Sequence, residues 1–182
     1  MNPNFSIFPN LETDRLKLRS LHINDALEIY QLRADLTVAE LTGKEPAKDI
    51  NEAKSFIHKI QNLISDNACI YWAICYKGED DLIGAVCFWN FDTDSNSIEI
   101  GYELLPQYQH KGIMSEALKT VIDFGFEVIK AKTITAFPSG NNPASVIILE
   151  KAGFKLSFDH YKNSHKDVQE MLTYILHNKD LN

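Results

Sequence analysis

Residues 108–117 read Tyr-Gln-His-Lys-Gly-Ile-Met-Ser-Glu-Ala and join a strand-like run, 97–105, to a helix-like run, 114–129. The turn between the two runs has Pro106 at its head and Gly112 in its middle. It delivers several consecutive backbone N–H groups into a helix N-terminus, where the first amides lack internal partners and the helix dipole adds partial positive charge. The stretch therefore predicts an anion site with a geometry that suits a pyrophosphate.

No motif indicates a dinucleotide fold or a P-loop nucleotidase, because the chain contains neither G-x-G-x-x-G nor G-x-x-x-x-G-K-[ST]. The Gln-x-x-Gly-x-x pattern of residues 109–114 resembles instead the acetyl-CoA pyrophosphate loop of the GNAT N-acetyltransferases, which reads Gln/Arg-x-x-Gly-x-Gly/Ala. Met114 departs from the commonest form of that loop. The version Gly-Ile-Met-Ser-Glu-Ala is similar to the branch of ribosomal-protein N-terminal acetyltransferases.

Two further segments carry the same resemblance. Residues 142–154, Asn-Pro-Ala-Ser-Val-Ile-Ile-Leu-Glu-Lys-Ala-Gly-Phe, are similar to the family's Asn-x-x-Ser-x-x-x-Leu-Glu-Lys-x-Gly-Phe segment, and residues 11–19 look like the opening strand of that branch. The matches follow the family's order and extend over nearly the whole chain. The resemblance implies one GNAT N-acetyltransferase domain over residues 1–182, with acetyl-CoA as co-substrate and no metal.

The order of predicted elements is β-α-α-β-β-β-α-β-α-β-β, which indicates a mixed sheet in an α/β or α+β arrangement. It is also the order of the GNAT fold, so we expect a mixed, mostly antiparallel central sheet of about seven strands flanked by about four helices. The predicted helices start near residues 25, 51, 114 and 143, and the predicted strands begin near residues 16, 70, 82, 97, 133, 155 and 168.

Composition and charge bound the class of protein. The 182 residues are 45% hydrophobic and 24% charged, as in globular chains that bury a sizeable core. No run approaches the ~18 apolar residues of a membrane span, and no secretory signal is evident, so we expect a cytoplasmic protein without membrane association. Cys69, Cys75 and Cys87 form no C-x-x-C pair and are interpreted as small core residues in a reducing compartment.

The formal net charge of −7 argues against extended nucleic-acid binding. The charge is compatible with a cationic substrate such as an amine or a basic peptide. It is equally compatible with an acidic surface that only keeps the protein soluble.

The predicted strand over residues 97–105 carries an unusual face. Glu99, Gly101 and Glu103 alternate with apolar residues, so two carboxylates flank a glycine on one side of the strand. Glycine inside a strand often marks a bulge or the close approach of a ligand. The alternatives are that this face meets water, that the glutamates pair with cations, or that a bulge after Gly101 moves Glu103 to the other face.

By resemblance, the strand end would pair with the pantetheine amides of acetyl-CoA, and the loop amides would hold its pyrophosphate. Lys111 would add charge near the phosphates, and Asn142 would either contact the cofactor arm or cap its helix. The cofactor-binding residues so implied are Tyr102, Glu103, Leu104, Leu105, Gln109, His110, Lys111, Gly112, Ile113, Met114, Ser115, Asn142 and Ser145.

The catalytic residues follow from the same resemblance. Glu99 resembles the family's strand glutamate, and we expect it to deprotonate the amine directly or through water. The tyrosine that GNAT enzymes often use as thiolate acid is absent between Asn142 and Phe154, so Ser145 is the expected substitute. A rival base is His160, which titrates near neutrality and lies in a region, 159–161, where that branch can place a carboxylate base.

Three functions remain open from the sequence. The first is acetylation of an α-amine of a protein or peptide, the second is acetylation of a small amine such as a polyamine, amino acid or drug, and the third is acetyl-CoA sensing without turnover. Acceptor choice is expected to depend on residues 34–48, which show no clear period. The exposed final strands are compatible with a homodimer.

Overall fold

The computed structural model describes residues 1, 3–36, 38–39, 45–159, 161 and 171–178. These residues form eight strands, four α-helices and two short 3-10 helices, Ile23–Asp25 and Pro106–Tyr108. The strands are β1 Leu11–Glu12, β2 Leu16–Arg19, β3 Ile70–Tyr76, β4 Gly84–Asp92, β5 Ser97–Leu104, β6 Thr133–Ala136, β7 Lys155–Ser157 and β8 Thr173–His177. The helices are α1 Ala26–Ala34, α2 Ile50–Ser65, α3 Ile113–Glu127 and α4 Pro143–Lys151.

The strands form one sheet in the order β1-β2-β3-β4-β5-β6-β8-β7. Every neighbouring pair is antiparallel except β5 and β6, which are parallel. This parallel pair is joined through α3, because parallel neighbours need a crossover connection. The predicted α+β arrangement with a mixed, mostly antiparallel sheet is confirmed, and the additional strand is the two-residue β1.

The sheet is buried on both faces. One face packs against α3 through residues such as Phe88, Ile98 and Leu118. The other face packs against α1 and α2 through residues such as Ile57 and Tyr71. Glu99 and Glu103 of β5 lie on this second face. Their side chains are therefore directed toward α1 and α2.

Helix α3 approaches the sheet closely at Gly125. A Cβ at this position would lie 2.9 Å from Cζ of Phe88 and 3.1 Å from Cδ1 of Ile134. Phe88 and Ile134 are fully buried, so neither side chain can move aside without disturbing the core. The glycine therefore sets the distance between α3 and the centre of the sheet.

Arg19 and Asp25 differ from their predicted roles. In the sequence, Leu16 and Leu18 alternate with Lys17 and Arg19, which predicts a half-buried strand with Arg19 on its polar face. Asn24 or Asp25 is the predicted cap of the first helix. In the structure both residues are buried, and Nη2 of Arg19 lies 2.7 Å from Oδ1 of Asp25. Asp25 still precedes α1, but its carboxylate bonds Arg19 and the backbone N–H of His22 rather than the helix amides. Arg19 is buried because it pairs with a residue six positions away, which the alternation of a strand does not reveal.

The structure also bears on the predictions for the cysteines, for membrane spans and for the final strands. The three cysteines are buried free thiols, as expected, and burial raises the pKa of Cys69 and of Cys75 to about 11. None of the described helices combines the length and the apolar character that crossing a bilayer requires.

Strands β7 and β8 pair as the predicted final hairpin. The connection between them over residues 162–170 lies outside the described residues. Residues 37 and 40–44 of the predicted acceptor segment lie outside them as well.

Candidate active site

The bend between β5 and α3 contains two residues in the left-handed region. His110 has φ +59° and Gly112 has φ +74°, and Gly112 is the residue that precedes the first turn of α3. Glycine adopts this conformation without the steric penalty of a Cβ. Met114, which stands where the family commonly has Gly or Ala, is buried in the core beneath α3. Its side chain is thereby kept off the outer surface of the bend.

The backbone N–H groups on this bend are unpaired over six consecutive residues. The amide of Gln109 donates to the carbonyl of Pro106, and the amide of Glu116 donates to the carbonyl of Gly112. Between them, the N–H groups of residues 110–115 find no acceptor in the part of the chain that the structure describes, and no side chain caps the helix. A row of unpaired amides at a helix N-terminus favours an anion.

Two cations stand beside the bend. Lys111 is exposed, and its Nζ lies 5.6 Å from the ring centroid of Tyr108. Arg15, from the turn between β1 and β2, donates from Nη1 to the carbonyl of Lys111 at 3.3 Å. Its Nη2 would lie 3.6 Å from a Cβ placed on Gly112. No local pattern in the sequence indicates a role for Arg15 at the bend, because its partners lie about a hundred residues further along the chain.

Strands β5 and β6 separate after a short paired stretch. Their parallel pairing covers Ser97–Thr133, Ile98–Ile134 and Glu99–Thr135 and then ends, while β5 continues to Leu104. The N–H of Leu105 donates to the carbonyl of Ile83 at 3.0 Å, on the β4 side. The gap that opens beyond Glu99 is bounded on one side by the free edge of β5.

The backbone of β5 presents polar groups toward this gap. Because peptide groups alternate along a strand, the amides of Tyr102 and Leu104 point away from β4, opposite to that of Leu105. The carbonyl of Leu104 accepts a hydrogen bond of 3.1 Å from Nε2 of Gln109. Gln109 thus ties the loop to the strand end. Tyr102 and Leu104 offer backbone N–H groups to an extended ligand, whereas Leu105 contributes its amide to the sheet.

Glu99 lies at the last paired position of β5 and β6, where the gap begins. It is 2% exposed, and Oε2 accepts a hydrogen bond of 2.5 Å from Nδ2 of Asn90. Asn90 occupies the irregular stretch of β4 between Trp89 and Asp92 and has φ +49°. The burial of Glu99 excludes the alternative in which its side chain simply meets water.

Glu103 lies on the same face as Glu99. The pairing of β4 with β5 is regular from Glu99 to Leu104, so no bulge intervenes. The hydroxyl of Tyr71 donates to Oε1 of Glu103 at 2.6 Å. Burial, and next to it the charge of Glu103, raise the pKa of Tyr71 well above its ordinary value. A Cβ on Gly101 would lie 3.1 Å from the ring of Trp89, so an indole covers the strand between the two carboxylates.

Asn142 and Ser145 open α4 across from this strand. Oδ1 of Asn142 accepts a hydrogen bond of 3.1 Å from the N–H of Ser145, so Asn142 caps the helix as one of its two predicted roles requires. Oγ of Ser145 lies 2.7 Å from the hydroxyl of Tyr102. Burial raises the pKa of Tyr102 to about 12, while the hydrogen bond with Ser145 acts in the opposite direction. No pattern in the sequence indicates this contact of the Tyr102 hydroxyl, because Ser145 lies 43 residues further along the chain.

The rival base is not placed by the structure. His160 lies outside the described residues. Its neighbour Asp159 accepts a hydrogen bond of 3.2 Å from the hydroxyl of Ser157 at the end of β7. Among the described candidates, the structure brings Glu99, the loop amides, Tyr102, Asn142 and Ser145 to the region where β5 and β6 part.

Sequence comparisons connect these features with known proteins. The family model described as acetyltransferase (GNAT) domain matches residues 15–155. The uncharacterized N-acetyltransferase YoaA of Bacillus subtilis (strain 168) is 33% identical over 149 residues, which cover 82% of this chain and 84% of YoaA.

Solved structures agree on the fold at lower identity. The ribosomal-protein-S5-alanine acetyltransferase of Vibrio fischeri superposes with a TM-score of 0.75 at 23% identity, over 96% of this chain and 99% of that chain. The spermidine N-acetyltransferase of Vibrio cholerae, solved with CoA and spermine, gives a TM-score of 0.76 at 23% identity, over 92% of this chain and 98% of that chain. At this identity the two likenesses establish a shared fold.

Proposed function

This chain belongs to the GNAT acetyltransferase family, and we propose that it transfers the acetyl group of acetyl-CoA to the N-terminal α-amine of a protein or peptide, in the manner of the ribosomal-protein branch. GNAT enzymes use acetyl-CoA as co-substrate, and the proposed route is direct attack by the amine in a ternary complex. The route needs a hold on the cofactor, a base for the amine, donors for the oxyanion and a partner for the leaving thiolate.

The unpaired amides of residues 110–115 carry the proposal. A diphosphate offers several acceptor oxygens, and this row of N–H groups supplies donors at a positive helix end without any side-chain motif. Arg15 and Lys111 add positive charge beside the same bend. The residues present therefore fit the pyrophosphate of acetyl-CoA. Gln109 would support the bend by its bond to the strand end.

The pantetheine arm is proposed to lie along the open edge of β5. The backbone N–H groups of Tyr102 and Leu104 face the gap beyond the last pair of β5 and β6, and an amide-bearing chain can bond there as an added strand. This course leads from the bend toward Glu99. The thioester would then reach the part of the gap where Glu99 and Ser145 approach it from different elements.

Glu99 is the proposed base. A carboxylate held at the root of the gap can accept the proton of an attacking amine, directly or through one water. Its hydrogen bond with Asn90 fixes the orientation of the carboxylate. Ser145 is the proposed partner of the leaving thiolate, because its hydroxyl stands on the first turn of α4 on the other side of the cofactor path.

A small polyamine is the second candidate acceptor. Glu99 and Glu103 lie on one face of β5 with the indole of Trp89 between them, and the ring of Tyr71 is bonded to Glu103. Carboxylates next to aromatic rings favour cationic amines. A spermidine N-acetyltransferase shares the fold. This arrangement supports a second charged nitrogen on the acceptor, which an N-terminal peptide lacks unless its sequence is basic.

One assay separates these functions. Thiol release from acetyl-CoA is measured with a panel of acceptors. The panel contains peptides with different N-terminal residues, the same peptides already N-acetylated, spermidine, spermine and free amino acids. The shift in Tm caused by CoA is measured alongside. We expect turnover with free N-termini and none with blocked ones. Turnover restricted to polyamines would select the second candidate. A Tm shift without thiol release from any acceptor would replace both with an acetyl-CoA sensor.

A further inference from the structure

The hydroxyl groups of Tyr102 and Ser145 join β5 to the first turn of α4, with 2.7 Å between the two oxygens. We propose that Tyr102 is a positioning residue, whose hydroxyl donates to Oγ of Ser145 and thereby directs the Ser145 hydrogen toward the sulfur of the acetyl-CoA thioester. The inference rests on the proposed function of this site. The hydroxyl of Tyr102 comes from strand β5. The tyrosine that GNAT enzymes often use as thiolate acid would lie on helix α4, where this chain has none.

The Tyr102 hydroxyl lies 2.7 Å from Oγ of Ser145 and 3.4 Å from the carbonyl oxygen of Ser145, and we assign its hydrogen to the shorter contact. A phenol is a stronger hydrogen-bond donor than an aliphatic alcohol, and burial leaves Tyr102 with a pKa of about 12 despite the opposing bond to Ser145. Tyr102 therefore keeps its proton at neutral pH. It can donate a hydrogen bond to Ser145, but it is too weak an acid to give its proton to a thiolate.

The surroundings of Ser145 leave its own hydrogen available. A serine inside a helix often donates back to the carbonyl four residues earlier. Here no carbonyl of the described residues accepts from Oγ of Ser145, whose described partner is Tyr102. Oδ1 of Asn142 is already engaged by the N–H of Ser145. Once Oγ accepts from Tyr102, its hydrogen remains available for an acceptor other than the described residues, and the proposal assigns that acceptor to the thioester sulfur.

The chemical role is stabilisation of charge, without transfer of a proton from either hydroxyl. The amine nitrogen attacks the thioester carbon, the C–S bond breaks, and its electron pair remains on sulfur as a thiolate. The amine proton passes to the base. Ser145 donates a hydrogen bond to the developing thiolate, which later takes a proton from solvent. A donor fixed before the reaction stabilises that charge without reorganising during it.

The first test needs neither an acceptor nor turnover. CoA is bound to the protein, and the ultraviolet absorbance of its thiolate is followed against pH in the wild type, Tyr102→Phe, Ser145→Ala and the double variant. We expect both single variants to make the bound thiol about tenfold less acidic, because each removes the directed donor. A thiol acidity unchanged by Tyr102→Phe would overturn the proposal, whatever acceptor the enzyme uses.

The second test is a double-mutant cycle on turnover, with an acceptor that supports thiol release. We expect Tyr102→Phe to lower kcat about tenfold with the KM for acetyl-CoA little changed, and to have no further effect in the Ser145→Ala background. An equal loss in both backgrounds would mean that Tyr102 acts without Ser145 and would contradict the proposal.

Tyr174→Phe is the matched control. The hydroxyl of Tyr174 donates to Oε1 of Glu150 at 3.0 Å, so it also bonds a side chain of α4, near the opposite end of the helix. If Tyr102 merely anchors α4, both variants should lower Tm and affect kcat alike. Under the proposal, Tyr174→Phe leaves the acidity of the bound thiol unchanged, and only Tyr102→Phe alters it.

Discussion

The carboxylate of Glu116 accepts hydrogen bonds from the backbone N–H and from Nε of Arg15, at 2.9 and 2.7 Å, although the two residues are 101 positions apart. The hydroxyl of Thr13 donates to the same carboxylate. These bonds hold the turn before β2 against the first turn of α3. They also fix Arg15 next to Gly112, within the row of unpaired amides.

Replacing Arg15 with Met should weaken CoA binding. The variant keeps much of the side-chain volume but removes the cation beside the bend, and we expect a loss of about tenfold, or 1.4 kcal/mol, by calorimetry. The loss should be equal for CoA and 3′-dephospho-CoA and absent for pantetheine, which has no phosphate. Lys17→Met is the control, since Lys17 pairs with Asp80 at 3.6 Å on an exposed surface. A loss confined to CoA would instead place Arg15 at the 3′-phosphate.

Glu116→Gln should lower stability in a pH-dependent way. Burial would raise the pKa of Glu116, but the hydrogen bonds from Thr13 and Arg15 outweigh it and lower that pKa. The stabilisation is therefore present above the ordinary glutamate pKa of about 4.3 and is lost as the pH falls through the folded value. At neutral pH we expect a cost of at most about 1 kcal/mol, since Arg15 is half exposed.

Urea unfolding of the wild type and Glu116→Gln at neutral pH and near pH 3.5 measures this difference. Glu12→Gln is the comparison, because its ion pair with Lys77 is exposed on both sides and should contribute nothing measurable. A difference between Glu116→Gln and the wild type that persists undiminished in acid would show that charge is not its origin.

Gly112→Ala and Gly78→Ala form a matched pair. Both glycines have positive φ, at +74° and +83°, and neither added Cβ would clash with a neighbour. Each substitution should cost about 1–2 kcal/mol of stability from backbone strain. Only Gly112→Ala should also lose about tenfold in CoA affinity, because only Gly112 lies in the bend. Equal CoA binding by both variants would contradict the role of the bend.

Glu99→Gln should separate catalysis from cofactor binding. If Glu99 takes the proton of the amine, kcat falls by roughly 10²–10⁴-fold while acetyl-CoA affinity changes little. Steady-state kinetics across pH measures both effects. Glu103→Gln, on the same face of β5, should act on the acceptor KM instead. A pH–rate profile left unchanged by Glu99→Gln would assign the base to His160 or to solvent.

Gly125→Ala should destabilise the fold although it improves helix propensity. The gain in propensity is about 1 kcal/mol. Forcing a methyl to within 2.9 Å of the buried Phe88 ring costs typically 1–3 kcal/mol. We expect a net loss of about 1 kcal/mol in urea unfolding, which Phe88→Leu in the same chain should partly relieve. A more stable Gly125→Ala variant would mean that α3 shifts easily on the sheet.

Local patterns in the sequence predicted much of this structure. Asn142 followed by Pro143 predicted the start of α4, because a cap and its helix are contiguous in the chain. Gly112 was predicted to lie in the turn before α3, and in the structure it is a left-handed residue of that turn. The alternation of β5 placed Glu99 and Glu103 on one face, since that strand pairs regularly with β4 from Glu99 to Leu104.

Contacts between distant residues were not predictable in this way. Arg15 and Glu116, or Tyr102 and Ser145, meet only after the sheet and the crossover helix are assembled, and neither pair leaves a periodic signal. The point at which β5 and β6 part, after Glu99 and Thr135, is likewise set by packing of whole elements. Local patterns therefore predict candidate residues for the site, whereas the bonds between these residues are set by the assembled fold.

The bend between β5 and α3 presents main-chain groups, and its exposed side chains at positions 110, 111 and 115 take no part in forming it. Because the proposed donors belong to the main chain, these side chains can vary, provided that the left-handed backbone at His110 and Gly112 is kept. Related proteins could therefore carry side chains of different charge and size on this bend. Their solubility or their binding partners would then differ, while the main-chain anion site stays the same.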